Sequence, residues 1–158
     1  MDKKLEYLHR MFIADPENTE LARAFMNLYR RLGLELPMDS WQLGGFFEGN
    51  LELMKSWVSV MDYGDPSHIA FYMRLDEGDE FISNEWVKDI IETSTIGNPA
   101  GAALKMARNR YATNKWTKFI IENSVIGNPR AAASEMAFLG LATWDWVKKV
   151  DNGGFDEA

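Results

Sequence analysis

Residues 83–112 and 113–142 are two copies of one segment. Ser83-Asn84-Glu85-Trp86-Val87-Lys88-Asp89-Ile90-Ile91-Glu92 is matched thirty residues on by Thr113-Asn114-Lys115-Trp116-Thr117-Lys118-Phe119-Ile120-Ile121-Glu122. The match runs through Gly97-Asn98-Pro99 and Gly127-Asn128-Pro129 to Ala112 and Ala142, and a third copy opens with Thr143, Trp146, Val147 and Lys148. Self-similarity at this period marks stacked supersecondary units, none of which can bury its apolar face alone. The expectation is a row of helical units.

Within each copy the apolar spacing gives two helices. Ser83, Thr113 and Thr143 stand just before the apolar pattern, where a hydroxyl can accept from first-turn amides, and are candidate N-caps. Trp86, Val87, Ile90, Ile91 and Ser94 then share one side at 3.6 residues per turn, with Lys88 and Glu92 pointing away. Gly97 and Gly127 suit the left-handed conformation that ends a helix, and the Asn-Pro that follows supplies a cap and a first-turn proline for the next. Ala102, Ala103, Met106 and Ala107 make a face of small side chains that lets a neighbour, such as Trp86 or Trp116, approach closely. A diverged unit precedes these copies: Trp57 leads an apolar stretch to Gly64-Asp65-Pro66, and Ala70 and Met73 keep the distances from proline seen for Ala103 and Met106. Further upstream, Leu5, Leu8, Met11 and Phe12 predict a first helix. Leu21 to Leu34 predict a second, with Leu21, Phe25, Leu28 and Leu32 inward. Residues 35–50, with Pro37 and three glycines, read as an irregular connection.

Gly-Asn-Pro followed by an alanine-rich helix resembles the HEAT-like and leucine-rich-repeat-variant α-solenoids over residues 57–150. The arginine and valine usual after the HEAT proline are replaced by Ala100-Gly101 and Arg130-Ala131. Asp15-Pro16-Glu17-Asn18-Thr19-Glu20-Leu21-Ala22 is similar to the opening of a tetratricopeptide helix pair. The resemblance is one of architecture and brings no functional residue with it. It implies an all-α, right-handed stack of helical hairpins with about eight to ten helices. Residues 1–150 are expected to form one domain, with units near 57–82, 83–112 and 113–142, a partial one at 143–150, and a flexible tail at 151–158.

A chain of 158 residues with nine Phe, nine Met and six Trp can bury a core without staples. The absence of cysteine excludes disulfides, cysteine nucleophiles and thiolate metal sites, and makes the cytoplasm the expected compartment. No apolar run is long enough to span a bilayer, and the start lacks the apolar stretch of a signal peptide. Net charge is −7 and unevenly placed: residues 1–92 balance at −9, residues 93–158 at +2. An acidic chain repels phosphate backbones unless a local basic face overrides the whole, which disfavours nucleic-acid binding.

Little in the chain points to catalysis. His9 and His68 lack the paired spacing of a zinc site. Asp65-Pro66-Ser67-His68 holds triad residue types, but neighbours in one turn point apart, and a helix start capped by Asp65 is the better reading. Asp76-Glu77-Gly78-Asp79-Glu80 lacks the ligand alternation of a calcium loop and reads as a solvated acidic loop. Gly44-Gly45 lacks the lysine and hydroxyl of a phosphate loop. Tryptophans at helical spacing among isoleucines read as core, and Lys88/Glu92 and Lys118/Glu122 as weak surface pairs. One cluster stays open: Lys105, Arg108, Arg110, Lys115 and Lys118, with Tyr111 and Trp116 between them and no acid, form a candidate patch for an acidic partner or a phosphate. The functional expectation is a non-enzymatic protein–protein interaction module or adaptor without a cofactor, able to pair with itself through an uncapped end. The alternative is a nucleic-acid-related role, through the basic patch or by inhibition of a nucleic-acid-binding protein with the acidic half.

Overall fold

Amphipathic segments bounded by caps and breakers become ten helices. A computed structural model describes residues 2–152, all-α and without a strand among them. The first four helices are α1 (Lys3–Ala14), α2 (Thr19–Arg31), α3 (Ser40–Phe46) and α4 (Leu51–Val60). They are followed by α5 (Pro66–Glu77), α6 (Asn84–Thr93), α7 (Pro99–Arg108), α8 (Asn114–Asn123), α9 (Pro129–Phe138) and α10 (Trp144–Asp151). Among the described residues no helix is long and apolar enough to cross a membrane.

Three sequence readings are corrected at the N-terminal end. The irregular connection contains α3, started by Asp39, whose carboxylate accepts from Gln42 N at 2.8 Å. Helix α2 stops at Arg31 because Gly33 takes φ +73°, so Leu32 is a 41 % exposed cap residue instead of an inward one. Trp57 does not lead its unit: Asn50 caps α4 at Leu53 N, 3.2 Å away, leaving Trp57 in mid-helix. At the other end Asp151 is the last residue of α10, not the start of a tail. The rest of the expected tail, residues 153–158, lies outside the described residues.

The matched copies carry matched helices. Ser83, Thr113 and Thr143 accept from Trp86 N, Trp116 N and Trp146 N at 3.1, 3.1 and 3.2 Å. Helices α5, α7 and α9 pack in succession, and α7 also touches α6 and α8. Small side chains permit that approach: Ala102, Ala103 and Met106 of α7, and Ala133 and Met136 of α9, are fully covered. Thr117 replaces the Val87 and Val147 of its sister copies and is equally buried, its hydroxyl donating to Ala103 O at 3.1 Å.

Lys88 and Glu92 are not idle surface residues. Glu92 Oε1 accepts from the indole N–H of Trp116 at 2.7 Å, and Lys88 Nζ lies 5.3 Å from the centre of that ring. One step on, Glu122 accepts from Trp146 at 2.7 Å and Lys118 sits 5.2 Å above its ring. Each first helix thus holds the tryptophan of the next through an N–H bond at the edge and a cation on the face. Glu122→Ala and Trp146→Phe, combined in a double-mutant cycle by urea denaturation, should couple by about 1 kcal/mol. Strict additivity would mean that the bond adds nothing.

A second ladder runs along the Gly-Asn-Pro corners. Asp65 caps α5 at His68 N (3.3 Å), and its other oxygen accepts from Asn98 N at 3.1 Å. Asn98 Oδ1 in turn accepts from Gly101 N (3.1 Å) and Asn128 N (3.0 Å). Asp65 and Asn98 therefore each satisfy one amide of their own helix and one of the next corner, whereas Asn128 serves only its own helix through Ala131 N. Burial raises the Asp65 carboxyl, but the His68 imidazole, 2.8 Å from it, and the amides of His68 and Asn98 more than offset this and hold it below its ordinary 3.8. A depressed folded-state value means that Asp65 stabilises the fold above the unfolded value and ceases to do so as pH falls through the folded one. Wild type should exceed Asp65→Asn in urea midpoint at about pH 6, with the gap closing between roughly pH 5 and 3. A gap unchanged over that range would show that the charge is not what matters.

Candidate functional site

Helices α2, α7 and α9 end in the same turn, and at α7 and α9 this turn holds the longest run of differing residues between the copies. Tyr111 N bonds to Met106 O and Leu141 N to Met136 O, both at 2.8 Å, while Arg110 N and Gly140 N bond to Ala107 O and Ala137 O at 3.0 Å. Leu34 N to Tyr29 O and Gly33 N to Arg30 O repeat the pattern after α2. This helix ending needs one left-handed residue. Gly33 and Gly140 supply it at φ +73° and +74°, whereas α3, which ends with the same bonding pattern, uses Glu48 at φ +53° and α7 uses Arg110 at φ +63°. Left-handed backbone costs a residue with a Cβ about 1–2 kcal/mol relative to glycine.

Beside these turns lies an open groove of about 840 Å³. Arg108, Arg110 and Tyr111 of the α7–α8 turn face Leu139 and Leu141 of the α9–α10 turn, with Glu85 and Lys88 of α6 closing it and Ala107 and Ala112 within. Of the six patch residues named from the sequence, Arg108, Arg110 and Tyr111 are brought together here. Lys105, Lys115 and Lys118 do not line the groove: Lys105 is half-buried on α7, Lys115 is exposed, and Lys118 covers the Trp146 ring. Tyr111 is held from behind by Arg74, whose guanidinium is 3.9 Å from its ring centre, and by Phe71. Arg108 lies 3.5 Å from Glu135, and Lys88 3.5 Å from Glu85. No ion pair or hydrogen bond engages the Arg110 side chain among the described residues.

Lys88, Leu139 and Leu141 escaped the sequence reading. The signal for the leucines was the comparison of copies: they replace Asn109 and Tyr111, and Phe138, 81 % exposed, replaces Arg108. Apolar side chains thus sit at the end of the row where polar ones stand one copy earlier.

Elsewhere the chemistry is structural. No cluster of three or more His, Asp or Glu suited to a metal occurs among the described residues. His9 stacks on Phe25 with ring centres 5.2 Å apart. The acidic loop is tied down in part, since Asp79 accepts from Asn84 N at 3.1 Å and lies 3.7 Å from Arg74. A smaller groove of about 430 Å³ runs between Trp41, Gly44, Gly45 and Glu77.

Fold and site define an all-α protein of helices packed against their neighbours, open along one edge. No protein-family model matches the chain, and no curated protein or solved structure shows a significant match to it.

Proposed function

We propose that this protein is a non-enzymatic interaction module, an α-solenoid of the HEAT-like kind whose turn edge grips another protein. The observation that carries this reading is the division of labour between the copies. Residues that recur, namely the hydroxyl caps, the Asp65–Asn98–Asn128 ladder and the lysine–glutamate grip on tryptophan, all hold helix to helix. The longest unbroken run of differing residues, Arg108/Phe138, Asn109/Leu139, Arg110/Gly140 and Tyr111/Leu141, falls at the α7–α8 and α9–α10 turns, where Arg108, Arg110, Tyr111, Leu139 and Leu141 line the groove. Other differences, such as Asp89/Phe119 and Lys105/Glu135, lie elsewhere along the helices. Stacked units give an extended surface whose specificity is written where the units differ. The groove combines cations with apolar walls and holds no pair of carboxylates or nucleophile–base constellation.

Direct nucleic-acid binding draws less support. A phosphate track needs several free cations in line, whereas Arg108 has Glu135 beside it, Lys118 lies over a tryptophan ring, and Glu85 enters the groove. The test is affinity capture from the source cell with the full chain as bait, followed by light scattering of the reconstituted pair. One protein retained at fixed stoichiometry supports the reading. Retention of nothing above bare resin, or of nucleic acid alone, overturns it.

A further inference from the structure

We propose that the groove between the α7–α8 and α9–α10 turns receives an acidic peptide segment, with Arg110 binding its carboxylate and Leu139 and Leu141 its apolar side chain. The proposal rests on the interaction-module reading above and names the chemistry of the partner. Three observations converge on it. Arg110 occupies a left-handed position (φ +63°) at which the turns after α2 and α9 place Gly33 and Gly140; the turn after α3 places Glu48 there (φ +53°), but Glu48 lines neither of the two grooves. A residue kept in a strained conformation where a relaxed one is available marks a side chain with a task of its own. Nothing within the fold supplies that task, since the guanidinium has no partner among the described residues although Arg108 and Lys88 on the same groove do.

Apolar side chains line the same groove as Arg110: Leu139, 42 % exposed, and Leu141, half-buried, together with Ala107 and Ala112. A free nucleic-acid phosphate would leave these leucines in water, whereas a peptide can satisfy cation and leucines together. Guanidinium pairs with carboxylate and phosphate alike through two parallel hydrogen bonds, so it is the leucines beside Arg110, not the cation, that favour a peptide. The groove therefore suits a segment in which an Asp or Glu is near a large apolar residue.

The experiment selects peptides from a random twelve-residue phage library on the immobilised full chain and measures the enriched ones by fluorescence anisotropy. The proposal expects enrichment of sequences combining Asp or Glu with Leu, Ile, Phe or Trp, and a loss of affinity of at least about tenfold in both Arg110→Gly and Leu139→Asp. Arg110→Gly should at the same time raise the melting temperature by about 2–4 °C, because it relieves the left-handed backbone. Neutral or basic peptides, or acidic ones that Arg110→Gly binds as well as wild type, would overturn the groove assignment while leaving the module reading intact. A lower melting temperature in Arg110→Gly would make Arg110 a structural residue and also overturn it. Enrichment of no peptide at all would count against both readings. A salt-sensitive shift of oligothymidylate abolished by Arg110→Gly would replace the peptide with a nucleic acid.

Discussion

Gly127→Ala is expected to lower the melting temperature by roughly 10 °C, the larger part of it from crowding at the corner ladder. Gly127 lies at φ +70°, and a Cβ there would fall 2.7 Å from Asn98 Cα and 2.5 Å from Asn98 Oδ1. The Asn98 side chain can turn away, but its Cα cannot, so the corner must separate. Separation removes the exposed Asn128 N–Asn98 Oδ1 bond, whose net worth is about 0.5–1.5 kcal/mol. The left-handed backbone adds about 1–2 kcal/mol, and together with the displaced packing the sum is about 3–5 kcal/mol. Gly140→Ala is the control. Gly140 has φ +74° but nothing within 4 Å of the added carbon, so only the backbone contribution applies and the drop should be about a third as large. Thermal unfolding of the two variants side by side decides the matter, because equal drops would mean that the ladder contributes nothing beyond backbone conformation. Gly97→Ala, whose Cβ would meet Asp65 at 2.6 Å, should behave like Gly127→Ala.

Features whose cause lies within a few residues were legible in the sequence. The caps Ser83, Thr113 and Thr143 bond amides three residues on; Gly97 and Gly127 take the left-handed backbone expected of them, but in the corner and not at the helix ends, since α6 and α8 stop at Thr93 and Asn123. The capping role of Asp65 was equally local. Contacts that depend on how one unit lies on the next were not legible. Lys88 and Glu92 have the spacing of a surface pair, yet Glu92 reaches a tryptophan twenty-four residues away, and only the stacking of α8 beside α6 brings Trp116 within range. The same limit applies to the basic run. Five cations spread over residues 105–118 leave α7, α8 and the turn between them in different directions, so three of the six patch residues line the groove and three do not.

Helix α3 was hidden for another reason. Gly44 and Gly45 oppose a helix by about 1 kcal/mol each, and tertiary contact overrides them: Leu43 and Phe47 are 1 % and 4 % exposed against α4 and its neighbours. The cap at Asp39 was the available signal. Asn50 was likewise the signal that α4 starts six residues before Trp57. An aromatic residue draws the eye as a landmark, but a cap defines a helix start.

That misplaced landmark carries the other large expectation. Trp57→Ala should destabilise the protein by about 3–5 kcal/mol, since the side chain is fully buried and its loss opens a cavity that its neighbours fill only in part. Those neighbours come from two other helical regions. Phe25 of α2 and Phe47 after α3 meet the indole edge to face at 6.0 and 5.5 Å, and Phe46 is tilted at 5.3 Å. Truncation therefore loosens α2, α3 and α4 together. Its polar edge is satisfied through Tyr63, which accepts from the indole N–H at 3.0 Å and donates to Pro37 O at 2.7 Å, and burial pushes the Tyr63 hydroxyl up to about 12. Tyr63→Phe keeps the ring but orphans that N–H, so it should cost about 1–3 kcal/mol, less than the loss of the tryptophan. Hydrogen exchange gives the sharper test. Trp57 belongs to the core that runs from α1 to the start of α8, whereas Ala133, Met136 and Trp146 pack in a separate cluster at the other end. In Trp57→Ala, protection should fall first in α2–α4 and persist in α9. Simultaneous loss along the whole row would show that the two clusters unfold as one, and a Trp57→Ala variant within about 1 kcal/mol of wild type would remove Trp57 from the centre of the N-terminal core.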